Sequence, residues 1–583
     1  MRDFIDKLIS RLLIGAAILA ATSLVAQYGF FLPRSYLGYL FKIDILIIIL
    51  FISENFIRLA IARNRLAYLR THWLDFTLIG LFAAQIVSLR FFSESRVVAT
   101  FLAKLDIRSL TKAYIIAAQV YIGAVLFIKT IDANRFIAKL RLTAPQLVLM
   151  SFATAIGIGT LLLLLPRATA TGHSMPLIDA FFTATSATCV TGLIVVDTGT
   201  YFSRFGQGII LFLIQLGGIG IMSLVAFSAA VMGRGIGVRQ RAVLKDILSS
   251  DFIGEVTPLI RNIILITLSC ETIGVIVLSK VWARDFASPL VTFYYAVFHS
   301  VSAFCNAGFS LFDDSLARFS ARPGVILTFA VLIVIGGLGF MVVSNLASAA
   351  YRRIRGDRIG GRLTLHTKTV LTMSILLLVV GAVIFFLLEG GRSEVGISQR
   401  ERLLTAFFTS VTARTAGFST VSVASLTAPT ALIIILLMFI GASPGGTGGG
   451  TKTSTIAVLL ATIRSILKGR PNVELFKRTI PTDIVNKAIC VVLLSLGLIF
   501  ISSVAISAIE HQPLTEVLFE CVSAFGTVGL SRGLTQHLTT ASKLVIITTM
   551  FFGRIGPLTL GLAIGQRSRE TAYAYPTERV VIG

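Results

Sequence analysis

Phe181–Leu193 reads FFTATSATCVTGL, an aromatic pair followed by small and hydroxyl-bearing residues and then Cys-Val-Thr-Gly-Leu. The chain repeats this arrangement three more times, at Phe298–Phe309 (FHSVSAFCNAGF), Phe407–Phe418 (FFTSVTARTAGF) and Phe519–Leu530 (FECVSAFGTVGL). Each pentapeptide ends on glycine and a large apolar residue. The glycines Gly192, Gly308, Gly417 and Gly529 are separated by 116, 109 and 112 residues. A matched motif at a near-constant period marks one structural unit used four times. A second motif follows each strand: Gly217–Gly220 (GGIG), Gly336–Gly339 (GGLG), the longer Gly441–Thr451 (GASPGGTGGGT) and Gly553–Gly556 (GRIG). Their first glycines lie 25, 28, 24 and 24 residues beyond the strand glycines. Every unit therefore reads as an apolar helix (M1), a short polar helix (P), a glycine strand and a second apolar helix (M2).

The solvent for these units is a bilayer. Of 583 residues 55% are hydrophobic and 14% charged, whereas soluble proteins carry about 25% charged residues. Apolar runs approach the roughly 20 residues that a span needs, as in Leu12–Ala26, Leu147–Leu165, Val370–Leu388 and, with its flanks, Leu432–Ile440. The P segments are too short to span and read as re-entrant. Non-helical backbone such as Val-Thr-Gly survives at membrane depth only where it lines a watery cavity or is buried in protein, so the glycine strands point to a pore.

Charge sets the expected orientation. The linkers Met232–Lys245, Tyr351–Lys368 and Arg464–Arg478 are basic, while Thr169–Pro176 is nearly uncharged. Cytoplasmic loops are enriched in Lys and Arg, so M1 starts inside and P re-enters from outside. Ahead of the repeats, Leu12–Leu32, Ile43–Ile61, Trp73–Leu89 and Tyr114–Phe127 predict four further helices, with Arg58–Arg70 as a cytoplasmic loop. The expected fold is an all-α polytopic membrane protein of about twelve spanning and four re-entrant helices. Its parts are residues 1–141, an N-terminal helical region, and four repeats at 142–250, 251–366, 367–478 and 479–583, forming a pseudo-fourfold pore.

The same reading excludes other classes. The net charge of +24 sits in inter-helix segments such as Tyr351–Arg362 and Arg464–Arg470, which argues against nucleic acid as the partner. Cys189, Cys270, Cys305, Cys490 and Cys521 have neither disulfide-like pairing nor metal-type spacing. No nucleophile–base set, metal cluster or nucleotide loop is visible, so neither an enzyme nor a cofactor is expected. The Met1–Ala26 head has a basic start and an apolar stretch, but Asp3, Asp6 and the lack of a clean small-residue site argue against a cleaved leader.

A potassium filter replaces the ion's water shell with backbone carbonyls. Glycine adopts the positive φ this requires without penalty, and the C-terminal end of the P helix directs its negative dipole at the cation. The candidate filter is Cys189, Val190, Thr191 and Gly192; Cys305, Asn306, Ala307 and Gly308; Arg414, Thr415, Ala416 and Gly417; and Gly526, Thr527, Val528 and Gly529, with K+ held only at their carbonyls.

Thr191–Thr200 (TGLIVVDTGT) and Gly206–Met222 (GQGIILFLIQLGGIGIM) resemble the first repeat of the Trk/Ktr/HKT potassium transporter family. The strands at Cys305–Phe309, Arg414–Phe418 and Gly526–Leu530, the Gly441–Thr453 and Gly553–Leu558 motifs, and Tyr575–Gly583 (YPTERVVIG) are similar to the rest of it. The resemblance covers residues 142–583 and implies potassium uptake across the plasma membrane through a gated, channel-like pore. In plant members a serine in the first strand accompanies sodium transport; here the position is Gly192. The resemblance also implies a homodimer with one pore per chain and a separate cytoplasmic nucleotide-binding regulatory subunit, which the basic loops can dock. A sodium- or proton-coupled potassium carrier is the alternative, since a filter alone does not separate the two. The Met1–Arg141 region exceeds the helix pair that Trk-type members add.

Six glycines and Pro444 within Gly441–Thr451 end any continuous helix there. The resemblance assigns Gly445, Gly446, Gly448, Gly449, Gly450 and Lys452 to an intramembrane gating loop, and pairs with them Arg554, whose charge needs a partner at membrane depth. Glu520 and Arg414 are expected as structural anchors behind the strands. Glu271 is a further intramembrane charge. Asp197 and Asp313 are either cation-concentrating or plain loop acids. Arg58–Arg70 carries no arginine at every third position, so docking or stabilisation is expected there rather than voltage sensing.

Overall fold

The computed structural model describes residues 144–232, 256–356, 363–389 and 398–564, most of residues 29–71, scattered positions between 19 and 80, and positions 576 and 578. The segment Tyr114–Phe127 lies outside the described residues, as do nearly all of Met232–Lys245 and most of Trp73–Leu89 and Tyr575–Gly583. The chain divides into two compact units, Met1–Leu142 with Leu165–Ser174, and Thr143–Leu164 with Met175–Gly583.

In the first unit, α1 (Arg34–Ile61) begins nine residues before the apolar run that predicts it. Its Asp44 is buried and accepts hydrogen bonds from Ser23 Oγ (2.7 Å) and Gln27 Nε2 (2.5 Å). The expected loop at Arg58–Arg70 is largely helical. Arg58 lies in the last turn of α1, paired with Glu54 one turn earlier (2.7 Å), and α2 (Arg65–Thr71) holds the last arginines. Spacing of i and i+4 supplies the ion pair that the loop reading missed.

The second unit follows the fourfold pattern. The M1 helices are α3 (Ala144–Leu163), α7 (Val256–Val281), α11 (Leu365–Glu389) and α15 (Thr482–Glu510), and the P helices are α4 (Leu177–Thr188), α8 (Pro289–Phe304), α12 (Gln399–Thr412) and α16 (Leu514–Gly526). A single helical turn, α5 (Thr198–Tyr201), follows the first glycine strand. Among the described residues four helices are long and apolar enough to cross a membrane, and all four are M1. Their outer faces carry exposed Leu376, Val379, Val383 and Leu387 on α11 and Leu493, Phe500 and Ile501 on α15, as a lipid-facing surface requires. The core lies at the P helices, where Phe182, Phe298, Phe304, Phe408, Phe519 and Phe525 are fully buried.

The M2 helices of the second, third and fourth repeats are broken into shorter pieces. In the first repeat α6 (Arg204–Met232) runs unbroken through Gly217–Gly220. In the second, α9 (Pro323–Leu338) and α10 (Phe340–Ile354) meet at 99° about Gly339. In the third, α13 (Ala428–Phe439) and α14 (Thr453–Leu467) flank the glycine-rich loop, and a hairpin, β1 (Glu474–Leu475) with β2 (Arg478–Thr479), follows. In the fourth, α17 (Thr540–Ile555) breaks at Gly556 before α18 (Pro557–Ile564). An interruption was expected only in the third repeat. Gly339 (φ 92°) and Gly556 (φ 90°) take a conformation outside the helical region, and no helix continues through it. The M1 and M2 ends are tied together on one side: Glu389 accepts from Thr427 N (3.1 Å) and Oγ1 (2.8 Å), Glu510 from Thr539 N (2.8 Å) and Oγ1 (2.7 Å), and Asp285 pairs with Arg322 (2.6 Å).

Candidate functional site

The four glycine strands follow directly on the C-termini of α4, α8, α12 and α16 and share one backbone pattern. Positive φ occurs at the second and fourth motif positions: Val190 (56°) and Gly192 (86°), Asn306 (58°) and Gly308 (70°), Thr415 (73°) and Gly417 (78°), Thr527 (50°) and Gly529 (88°). In an ordinary strand successive carbonyls alternate in direction. Inverting every second residue turns them to the same side. The strands therefore present acceptors without intervening donors, which the glycines alone predict only in part; of the second-position residues only Asn306 is of a type that favours positive φ, and Val190, Thr415 and Thr527 carry no glycine-like signal.

The strands close into a ring. A Cβ placed on Gly192 would meet Ala307 O at 2.5 Å and Gly308 Cα at 3.0 Å. One on Gly308 would meet Ala416 O at 2.9 Å and Gly417 Cα at 3.0 Å. One on Gly417 would strike Val528 O, and one on Gly529 would strike Thr191 O, with Gly192 Cα at 2.9 Å. Each glycine thus abuts the third-position carbonyl of the next repeat, and the fourth abuts the first.

Hydroxyls brace the strands from behind. Ser186 Oγ donates to Leu193 O (2.7 Å) and accepts from Gly192 N (3.1 Å). Ser302 Oγ donates to Phe309 O (2.8 Å) and Thr412 Oγ1 to Phe418 O (2.6 Å). In the fourth repeat Glu520, fully buried, accepts from Ser531 Oγ (2.6 Å), Arg532 N (2.9 Å) and Thr535 Oγ1 (2.5 Å). The hydroxyl five or six residues before the strand glycine is the signal for this bracket in the first three repeats. The Arg414 guanidinium is directed away from the ring, onto Ser374 O (3.4 Å) and Ser374 Oγ (3.2 Å) of α11. Cys189 and Cys305 are buried, and Cys305 Sγ lies 3.9 Å from Glu271 Oε1, whose other oxygen accepts from Gln215 Nε2 (3.3 Å). Asp197 caps α5 by accepting from Thr200 N (2.7 Å), and Asp313 is paired with Arg318.

The glycine-rich loop lies against the ring. Gly449 N donates to Thr527 Oγ1 (2.8 Å), and a Cβ on Gly448 would strike Thr415 Oγ1. The loop is stitched to the second and fourth M2 motifs: Ser443 N to Gly337 O (3.0 Å), Thr447 N to Gly336 O (3.1 Å), Phe340 N to Gly445 O (3.1 Å) and Gly450 N to Gly553 O (3.2 Å). Gly446 packs its Cα against the same stretch, a Cβ there meeting Gly337 O at 2.8 Å. Lys452 Nζ donates to Gly448 O (2.7 Å) within the loop. Arg554, buried on α17, donates from one guanidinium nitrogen to Thr447 O of the loop and from another to Gly217 O on α6. The structure thus brings Gly445, Gly446, Gly448, Gly449, Gly450, Lys452 and Arg554 to one place beside the strands.

Known proteins resemble this chain over most of its length. The family model described as the cation transport protein TrkH matches residues 115–568. Ktr system potassium uptake protein B of Bacillus subtilis (strain 168) is 38% identical over 460 residues, 78% of this chain and 100% of that protein. Potassium/sodium uptake protein NtpJ of Enterococcus hirae is 36% identical over 450 residues, 76% of this chain and 98% of its own length. The crystal structure of the potassium transporter TrkH from Vibrio parahaemolyticus superposes with a TM-score of 0.58 at 19% identity, over 81% of this chain and 97% of that one, and shares the fold. A multi-pass, all-α membrane protein with this family match and these relatives, the chain belongs to the TrkH cation transport family.

Proposed function

We propose that this protein takes up potassium through a gated pore in which the four glycine strands are the selectivity filter. The observation that carries the reading is the closed ring of glycines with its doubled left-handed positions. Such a ring offers carbonyl oxygens and no fixed positive charge, the chemistry that replaces a potassium ion's water. The names of the relatives, potassium uptake proteins at 36–39% identity, support the same substrate. The loop at Gly441–Thr451, with Lys452 and Arg554, serves as the gate. The functional form is a homodimer with one pore per chain, working with a cytoplasmic nucleotide-binding subunit that docks on the basic inner linkers.

Growth of a potassium-uptake-deficient bacterium at low potassium tests the filter, with wild type beside Gly192→Ser. The serine Cβ would sit 2.5 Å from Ala307 O, so the ring must deform. Wild type is expected to rescue growth, and the variant to lose rescue or to admit sodium. An inserted variant that rescues with unchanged potassium-over-sodium preference overturns the filter assignment. Sodium coupling is the second reading, favoured by the relative named for both potassium and sodium. Rubidium uptake into proteoliposomes that requires a sodium gradient would establish it.

A further inference from the structure

The gate's rear helix ends in a cavity that the ion pathway does not use. A hollow of about 440 Å³ lies between α14, the start of α11 and the β1–β2 hairpin. That volume is in the range of small-ligand sites, roughly 300–1,000 Å³. Its rim is cationic: Arg464, Lys468, Arg470 and Lys477 line it. Glu474 neutralises Arg470 (2.9 Å). Among the described residues Arg464, Lys468 and Lys477 have no carboxylate partner. Positive charge at the C-terminal end of a helix and on an inner linker is ordinary. Three unpaired cations gathered on one concavity go beyond that.

The cavity is preformed. Val473, Leu475 and Ile480 of the hairpin pack on Val458, Val485 and Ala488, which fastens it to α14 and α15. Its two-residue turn is Phe476–Lys477, with φ of 48° and 63°. Turns of this kind strongly favour Asn-Gly or Asp-Gly. Phenylalanine and lysine there hold an exposed aromatic ring and an ammonium beside the hollow against the local preference.

The walls identify the ligand. Met373 belongs to a helix long enough to span, so the cavity opens at the end of a span. Next to the cations, α14 exposes Leu460, Ile463, Ile466 and Leu467, a face for acyl chains rather than water. Basic pockets between helices on the cytoplasmic side suit anionic headgroups. We infer that this cavity binds the headgroup of an acidic phospholipid from the cytoplasmic leaflet, with Arg464, Lys468 and Lys477 on its phosphate and the apolar face of α14 along its chains. The site also reaches the loop. At the other end of α14, Thr453 Oγ1 donates to Ser443 Oγ (2.9 Å), and a 15-residue helix is a rod of about 22 Å.

The test uses the full chain, delipidated and returned to phosphatidylcholine with increasing phosphatidylglycerol. Wild type is expected to retain phosphatidylglycerol in native mass spectrometry, and Arg464→Gln/Lys468→Gln/Lys477→Gln to retain it at least fivefold less. The single variant Lys468→Gln, expected to be intermediate, serves if the triple variant unfolds at a lower temperature in phosphatidylcholine. Equal retention by variants that unfold with the wild type overturns the site, including the case in which these cations serve only a soluble protein partner. Retention of glycerol 3-phosphate at a lower concentration than phosphatidylglycerol overturns a lipid in favour of a free phosphate. The lipid readout needs no ion flux, so it stands or falls apart from the proposed potassium uptake.

Discussion

Val190, Asn306, Thr415 and Thr527 sit in left-handed backbone that costs a side-chain-bearing residue about 1–2 kcal/mol each. Their surroundings hold them there, and in the first three repeats these include hydroxyl brackets to the strand end. Removing one hydroxyl leaves a buried amide or carbonyl unpaired at about 1–3 kcal/mol. Ser186→Ala is therefore expected to lower the potassium-over-sodium preference severalfold in ion uptake, and Ser302→Ala to do the same. Ser523 makes no hydrogen bond through its hydroxyl in the fourth strand, where Glu520 does the bracing, so Ser523→Ala is expected to leave selectivity unchanged. Equal effects of all three would mean that the hydroxyls serve packing alone. The glycines of this site were legible because one residue type answers one backbone demand at a fixed period. The four left-handed neighbours were not, because Val, Asn and Thr have no preference for that conformation in common; the ring imposes it.

At the scale of elements, the recurrent M2 motifs do two jobs that look alike in sequence. Their first glycines let M2 touch its own P helix: a Cβ on Gly217, Gly336 or Gly553 would strike Thr188 O, Phe304 O or Phe525 O. Their last glycines break the helix in the second and fourth repeats but not in the first. The break at Gly441–Thr451 was legible from composition. That at Gly556 had a signal in Pro557, since helices end before proline. Gly339 had none, because the apolar pattern continues across it; the turn there is set by the loop, which places Pro444 O 2.5 Å from where a Cβ would be. The loop's Thr447 and Gly448 carbonyls are taken up by Arg554 and Lys452. Hydrogen bonds to a charged group contribute about 1.5–3 kcal/mol, a factor of roughly ten or more in a closed-to-open equilibrium. Arg554→Ala is expected to raise rubidium flux into proteoliposomes, and Lys452→Met to raise it less, since Lys452 ties the loop only to itself. Unchanged flux in inserted Arg554→Ala would remove Arg554 from the gate.

For the whole molecule, the order of four repeats was legible from their period, but a ring needs a closure that the chain does not supply. Repeats one to four follow one another covalently; four must meet one through packing. Beside the packing of α17 on α4, the contacts at that junction include Gly529 on Thr191 O, Arg554 on Gly217 O, and Lys543 Nζ on Asp179 Oδ1 at 2.6 Å across 364 residues. The last lies between the first turns of α17 and α4, with side chains 13% and 17% exposed. Breaking one side of a buried pair costs about 3–5 kcal/mol, and less where water still reaches it. Lys543→Met is expected to lower the unfolding temperature in detergent, and Asp179→Asn to do the same. The exchanged pair Asp179→Lys/Lys543→Asp should regain at least half of the loss, although the exchange places a lysine near the N-terminus of α4, where the helix dipole favours a carboxylate. Recovery by exchange separates pairing across the junction from the loss of either side chain alone, since a role in local packing predicts that the double variant falls further than either single one.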